Sequence, residues 1–499
     1  MSESHALAVN EVVEYVKEAN FAAAFNFLME KLELSPEKKV SELLTFVLNQ
    51  HTDQLQSEDK YTELFDCYEK VLSQFPKDCE LLTEFGSRLF KLGRYVESFN
   101  CFKQVLQIDA KHLKAFHNLQ YVKDKLVERW HFRMLNDCLR NVVYENAIWT
   151  HVMKGLDTVL DIGTGTGLLS IYAHRINAAS ITACEVSEPM LTISKKVFEA
   201  NGMHDVDLLA RNSRDLTEKD LRYGRPKLIV TETLDCGVFG EGILETLIHA
   251  KENLLADGGK IIPHEVVLTI APFQSSSIAQ GSVLLNESFE EYIFLNGSTL
   301  VSPQTDHYDA VNVSQLPTFE MLSDPVDCLK VNFNNLQEMR DFVDGASNTV
   351  KLKCNQSGYV DGFVVWFRLP NDGSAATILD TNPNEETCWD QAVFRLNQRM
   401  YVEAGRMLNV TVTCSGGRLR LRHGHNQPME KCLEIPEDVL RFINDAEYLT
   451  KLEYDVNSLR KDGSFTTVMD LSPFPYVGIM LLKEKRAKKL YCLDLVNYL

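Results

Sequence analysis

The chain has 499 residues, 45% of them hydrophobic and 24% charged, and a formal net charge of −19. Such a length implies about two to four domains, and the composition excludes a disordered chain. The charge excludes a protein that grips nucleic acid through its phosphates; it fits attraction of basic, arginine-rich segments, or simply an acidic solvated surface. Twelve cysteines without a C-x-x-C pair indicate neither a zinc site nor a disulfide framework, so no metal is expected. The N-terminus MSESHALAVNEVVEY lacks a basic region followed by an apolar core, so no signal peptide is expected. No apolar run approaches the roughly 18 residues of a membrane span, and a reducing, intracellular compartment follows.

From Glu11 to about Lys125 the pattern is helical, broken at Ser35-Pro36, Pro76 and Gly93. A shift of 34 residues carries Phe65, Tyr68, Leu72 and Pro76 onto Phe99, Phe102, Leu106 and Ala110. That period, with Gly86 in a first helix and aromatics in a second, resembles tetratricopeptide (TPR) repeats. An earlier stretch, Asn20 to Pro36, matches the second helix at a different spacing. Residues 1–126 are therefore expected to form a short helical solenoid with a concave surface; an unrelated helical bundle is the competing reading.

Residues 127–262 alternate strand and helix, as a doubly wound α/β unit does. Strands are expected at Thr158–Ile162, Ser180–Glu185, Val206–Ala210, Lys227–Thr231 and Gly259–Ile262. The first runs into Gly163, Gly165 and Gly167, where the backbone turns sharply and can approach a ligand. The second ends at Glu185, placed to take both hydroxyls of a ribose at the carboxyl edge of a parallel sheet. The dinucleotide fingerprint G-x-G-x-x-G fails because Leu168 stands at its third glycine. The pattern D-x-G-x-G-x-G from Asp161 instead resembles motif I of S-adenosylmethionine (SAM)-dependent methyltransferases. An NAD site with a drifted fingerprint, or a turn without nucleotide, competes with it.

After Ile262-Pro263 the texture changes to alternating and β-branched segments such as EVVLTIAPF, GYVDGFVVWFRL and LNVTVTC. With turns at Asn371-Asp372-Gly373 and Ser415-Gly416-Gly417, residues 263–435 read as a mostly antiparallel, barrel-like β domain for substrate binding or dimerisation. In the last stretch, 436–499, Asp470 and Asp494 are 24 residues apart, as are Asp161 and Glu185. FINDAEYL (Phe442 to Leu449) parallels MLNDCLRN (Met134 to Asn141). This reads as the start of a degenerate second module, in which Ser472, Phe474 and Tyr476 replace the three glycines, and it leads us to expect a natural chain that runs further. Chance similarity is the alternative.

Glu232 follows the fourth strand directly and Glu241 comes nine residues later, beyond a glycine-containing loop. Two carboxylates converging at a strand end would clamp a planar guanidinium, which stays protonated and presents donors in a fixed fork. Two solvated surface acids are the plain alternative. The E-x8-E spacing resembles the double-E loop of protein arginine methyltransferases. Further matches are WHFRMLNDCLRNVVYENAI, like the family's cofactor-covering helices; Thr387-Cys388-Trp389, like its Thr-His-Trp loop with Cys388 for the histidine; and LADGGKIIPHEV, like its last Rossmann strand. The resemblance covers about residues 127–430, and helical repeats in front with a second module behind point to one branch of the family.

The resemblance implies a multidomain enzyme that uses SAM to methylate arginine in proteins, RNA-binding proteins among them, giving mono- and symmetric dimethylarginine. It implies that Glu232 and Glu241 are catalytic and that Arg140 pairs with the SAM carboxylate. Asp161 and Gly163, Gly165 and Gly167 hold the methionine portion, Glu185 the ribose, and Ser213 and Arg214 the adenine. Met134 lies beside the reacting centre and Trp389 walls the arginine pocket, with core packing as the rival for Trp389. A TPR-docked protein partner, a homodimer or tandem module, and a cytoplasmic location that extends to the nucleus complete the expectation; neither direct nucleic-acid binding nor a membrane is part of it. A TPR scaffold with an inert methyltransferase module is the main alternative, and a small-molecule methyltransferase a further one.

Overall fold

The computed structural model describes residues 11–32, 38–286, 289, 299–302, 304, 306–371, 378–424, 432–458 and 465–492. Ser35, Pro36, Asp372, Gly373 and Asp494, used in the sequence reading, lie outside them. The chain divides into two compact units, residues 1–131 and 132–499.

The first unit is helical: Phe21–Leu32, Lys38–Ser57, Tyr61–Gln74, Cys79–Lys91, Tyr95–Ile108 and Leu113–Leu126. The 34-residue shift carries Tyr61–Gln74 onto Tyr95–Ile108 end to end, so the repeat is structural as well as sequential. The equivalent N-caps differ in chemistry. Asp78 accepts from the amides of Glu80 and Leu81, and His112 accepts through Nδ1 from the Ala115 amide. Gly86 sets the closest helix approach: a Cβ there would meet Phe102 at 2.8 Å, and Ser98 Oγ donates to the Gly86 carbonyl at 2.7 Å.

The second unit begins with the helix Cys138–Met153 and five parallel strands: β1 (Thr158–Ile162), β2 (Ser180–Cys184), β3 (Asp207–Leu209), β4 (Leu228–Thr231) and β5 (Lys260–Ile262). All five fall where the sequence put them. Their order is β3-β2-β1-β4-β5, and helices follow β1, β2 and β4. The order reverses between β1 and β4, whose carboxyl ends flank the crevice where ligands bind in such sheets. Four of the five residues of β1 and all of β4 are buried, because helices cover both faces.

A cis peptide at Ile262–Pro263 leads into the β domain. Its larger sheet is antiparallel and is built on the long strands β6 (Glu265–Gln274), β12 (Gly358–Pro370) and β14 (Gln391–Val402). Short strands complete it: β8 (Asp309–Val311), β9 (Glu320–Met321), β10 (Val326–Asn332) and β13 (Ile378–Asp380), in the order β10-β6-β12-β14-β8 with β9 on β6 and β13 on β12, while β7 (Thr299–Val301) lies outside it. A smaller sheet, β11 (Ala346–Lys353), β15 (Met407–Ser415) and β16 (Arg418–His423), joins through β10, where Asn348 Nδ2 donates to the Cys328 carbonyl. One hydrophobic core runs unbroken from the parallel sheet into this domain, through residues such as Leu160, Phe239, Phe363 and Val412.

After β17 (Cys432–Glu434), paired in parallel with β7, come the helices Glu437–Asn444 and Ala446–Ser458 and a small βαβ unit. In it β18 (Phe465–Asp470) and β19 (Ala487–Cys492) pair in parallel around the helix Tyr476–Lys483. Asp470 accepts from the amides of Ser472 and Gly478, and Asp445 caps its helix at the Tyr448 amide.

Gly86→Leu should lower the unfolding free energy of the helical unit by roughly 1–3 kcal/mol, the usual cost of overpacking, in urea denaturation of the full chain. A shift within error would show that Phe102 gives way freely.

Candidate active site at the carboxyl edge of the parallel sheet

The three glycines after β1 all have positive φ, +70° at Gly163, +56° at Gly165 and +88° at Gly167, but each meets a different constraint. A Cβ at Gly163 would meet Thr233 at 2.9 Å, and one at Gly167 would meet the Phe198 ring at 2.4 Å. At Gly165 it would meet only the Gly163 carbonyl, at 3.9 Å, so this side of the turn is open.

Asp161 stands behind the turn, not on its open side. Its carboxylate is fully buried, and Oδ2 accepts from Thr164 Oγ1 (2.6 Å), Ser170 N (3.0 Å) and Ser170 Oγ (2.7 Å). It ties β1 to the helix Leu168–Arg175 and so shapes the turn. Burial pushes the Asp161 carboxyl up to about 6, against the pull of its hydrogen bonds. Glu185, half-buried just after β2, bridges backbone amides: Oε2 accepts from Gly165 (3.0 Å), and Oε1 from Val186 (2.8 Å) and Ser187 (2.9 Å). Beyond β3, Ser213 is buried and Arg214 is exposed.

The acid after β4 is enclosed. Glu232 Oε2 accepts from Arg140 Nε at 3.2 Å and also from Nη2, and the two side chains retain only 6% and 3% exposure. Arg140 also donates to Asn141 Oδ1 and lies 5.5 Å from the Tyr144 ring centre. Burial works against the Arg140 charge, but Glu232 and Tyr144 more than offset it and hold the guanidinium firmly protonated. Burial raises the Glu232 carboxyl above its ordinary value, with Arg140 drawing it back in part.

Glu241 is exposed at the far end of the loop. The loop is folded around Asp235, whose Oδ2 accepts from Tyr308 Oη (2.5 Å) and whose Oδ1 accepts from the Gly240 amide (2.9 Å). Gly237 and Gly240 are needed there, because a Cβ at either would run into Tyr308 or Asp235. One acid is inside and the other is at the surface.

Three distant segments meet around Glu232. Asp137 caps the helix Cys138–Met153 by accepting from the Arg140 amide (2.9 Å), and its other oxygen accepts from the Cys388 amide (2.8 Å). Trp389 Nε1 donates to the Leu234 carbonyl (2.8 Å), and its ring meets Phe367 edge-on at 5.4 Å in the core. Trp389 therefore buttresses the acid loop from the β domain. Met134 is half-buried on the helix Trp130–Asn136, which Arg133 anchors to Asp390 at 2.9 Å. Burial, followed by the field of Glu232, pushes the Cys388 thiol well up.

Sequence reasoning missed Asp137, Tyr144 and the Asp235–Tyr308 bond. Asp137 carries an N-cap signal directly before a helix; Asp235 and Tyr308 are 73 residues apart and give none.

The parallel sheet, its glycine turn and the attached β domain define a methyltransferase-fold protein. Residues 144–263 match the family model described as ribosomal protein L11 methyltransferase (PrmA), and residues 299–426 match the arginine methyltransferase oligomerization subdomain. Protein arginine N-methyltransferase 9 of Xenopus laevis is 34% identical over 81% of this chain and 52% of its own length. The protein of the same name from Homo sapiens is 31% identical over 87% of this chain and 55% of its own. An arginine N(omega)-methyltransferase of Streptomyces achromogenes subsp. streptozoticus is 29% identical over 59% of this chain and 78% of its own. The chain belongs to the protein arginine N-methyltransferase family, and it spans about half the length of the first two relatives.

Asp161→Asn removes a buried carboxyl whose folded value lies above its unfolded one. That group stabilises the fold below about 3.8, and its contribution is lost as pH rises through about 6. The melting-temperature advantage of the natural chain over Asp161→Asn should therefore narrow across this window; a constant or widening gap in calorimetry would contradict the assignment.

Proposed function

We propose that this chain transfers methyl groups from SAM to guanidino nitrogens of arginine in proteins, giving monomethyl and then symmetric dimethylarginine. One observation carries the reading: Glu232, buried at the end of β4, already holds a guanidinium, that of Arg140, through two N–H donors. The same carboxylate would hold a substrate arginine. Arg140 would meet the carboxylate of the SAM amino-acid portion, so each member of the buried pair suits one ligand.

When bound, SAM supplies a methyl group on a sulfonium. The open backbone at Gly165, the Glu185 carboxylate and the Ser213–Arg214 turn are the groups that would hold it, and Met134 lies on the helix leading to Arg140. The chain's own work is positioning and electrostatics: aligning acceptor with donor and opposing positive charge that develops on the substrate nitrogen. Glu232 would orient the guanidinium from inside, and Glu241 would meet it from the loop. Either acid is suited to take the proton released afterwards.

The helical unit, read as TPR repeats, would recruit the substrate protein, RNA-binding proteins among the candidates. The C-terminal βαβ unit reads as a second, degenerate methyltransferase-like module: Asp470 accepts from amides as Asp161 does, and Asp445 caps as Asp137 does. Action as a homodimer or with a tandem module, in the cytoplasm and also the nucleus, belongs to the same proposal.

Incubation with methyl-labelled SAM and an arginine-rich protein fragment, followed by amino-acid analysis, tests the proposal. Label should appear in monomethyl and symmetric dimethylarginine; label in lysine or free arginine, or none, overturns it. Glu241→Gln should cut turnover by roughly two orders of magnitude, as loss of an electrostatic contact does, with SAM affinity nearly unchanged. Glu232 must be ionised to hold a guanidinium, and its value is raised above 4.5. Activity should therefore fall with acidification at a pH above that of an ordinary glutamate; a limb at or below 4.5 in the pH–rate profile would exclude Glu232 as the controlling group.

A further inference from the structure

The β domain has an open seam. On one side β14 pairs with β8 only at Gln391–Val393, so from Phe394 onward that edge carries no strand among the described residues. On the other side β16 pairs with β15 alone among the described residues. Residues 394–400 of β14 and 420–424 at the end of β16 line one cavity of about 1090 Å³, so the two strands border the same space. Gln304 stops one end by donating from Nε2 to the Val393 carbonyl at 2.8 Å.

The side chains of β16 alternate along the seam: Leu419 is buried in the core, and Arg418, Arg420 and Arg422 alternate with it. β14 is irregular there, with residues 396–399 bulging opposite Asp361 and Leu396 buried beside Arg395. Arg395 is paired with Asp309 (2.7 Å) and Glu437 (3.0 Å), and Arg399 with Asp361 (2.6 Å). Arg418 contacts His307. Arg420 and Arg422 are exposed, and neither is paired with a carboxylate among the described residues. Asp306 is the one carboxylate on the cavity wall among them. In a chain of net charge −19 this is a local cationic site.

We propose that the seam is a docking site for an extended acidic segment of a partner protein, which enters as an added strand between β14 and β16. Unpaired edges supply main-chain hydrogen bonds, and alternate side chains read the sequence. Acidic residues at every second position would face Arg420 and Arg422, as opposite charges pair across strands, and the apolar residues between them would face Phe394, Leu396 and Leu421. The 6 residues of β16 suit a segment of about five to seven residues at the rise of a β-strand. The alternation separates this partner from a nucleic acid, which would need charge but neither strand edges nor apolar contacts.

Fluorescence anisotropy of a labelled Glu-Val-Glu-Val-Glu-Val-Glu peptide with the full chain tests the inference. Saturable binding is expected, weakened at least about tenfold (roughly 1.4 kcal/mol) by Arg420→Glu with Arg422→Glu. Proline at the central valine should weaken it as well, because proline cannot donate to a ladder. Far-UV circular dichroism checks the fold; if charge reversal disturbs it, Arg420→Gln with Arg422→Gln serves in its place. Equal binding of a peptide with its four glutamates in one block, tighter binding of a single-stranded oligouridylate, or indifference to both pairs of substitutions overturns the proposal.

Discussion

A guanidinium and a carboxylate, both almost entirely out of water, hold the unit of parallel sheet and β domain in register. Arg140 and Glu232 are far apart in the chain, and each is presented by a backbone end: the N-terminus of the helix Cys138–Met153 and the carboxyl end of β4. Leaving either one alone would strand a buried charge, typically at several kcal/mol. The geometry around the pair is therefore heavily determined. Asp137 fixes the helix end and takes the Cys388 amide, while Trp389 takes the Leu234 carbonyl two residues beyond Glu232. The β domain thus supports the acid that stands on the parallel sheet.

The acids along the carboxyl edge divide their work by depth. Asp161, fully buried, organises the glycine turn; Glu185, half-buried, gathers three amides; Glu232 balances an arginine; Glu241 faces solvent. The same side chain type does four things because desolvation and partners differ at each site. The C-terminal βαβ unit repeats part of the scheme without the glycines: Asp470 still accepts from backbone amides, but Ser472, Phe474 and Tyr476 occupy the turn.

Charge is distributed unevenly over the chain. A strongly acidic total coexists with a row of arginines on the edge strand β16, and two neighbouring arginines, Arg395 and Arg399, are already balanced by Asp309, Asp361 and Glu437. An exposed strand edge carrying such charge deters indiscriminate pairing with other strands and favours segments of opposite sign.

The sequence by itself determined what local rules govern. Strands at Thr158–Ile162 and Leu228–Thr231 show as apolar runs, the turn between β1 and its helix as glycines, and the 34-residue repeat as recurring aromatics. It also marked Glu232 and Glu241 by spacing. It did not tell that one acid lies inside and the other outside, that Asp161 supports the turn from behind, or that Trp389 and Asp137 brace the site. Those relations join residues tens to hundreds of positions apart, as in Asp137 with Cys388 or Asp235 with Tyr308. Periodicity reports which face of an element is buried, but what that face is buried against is settled only when separate elements pack together.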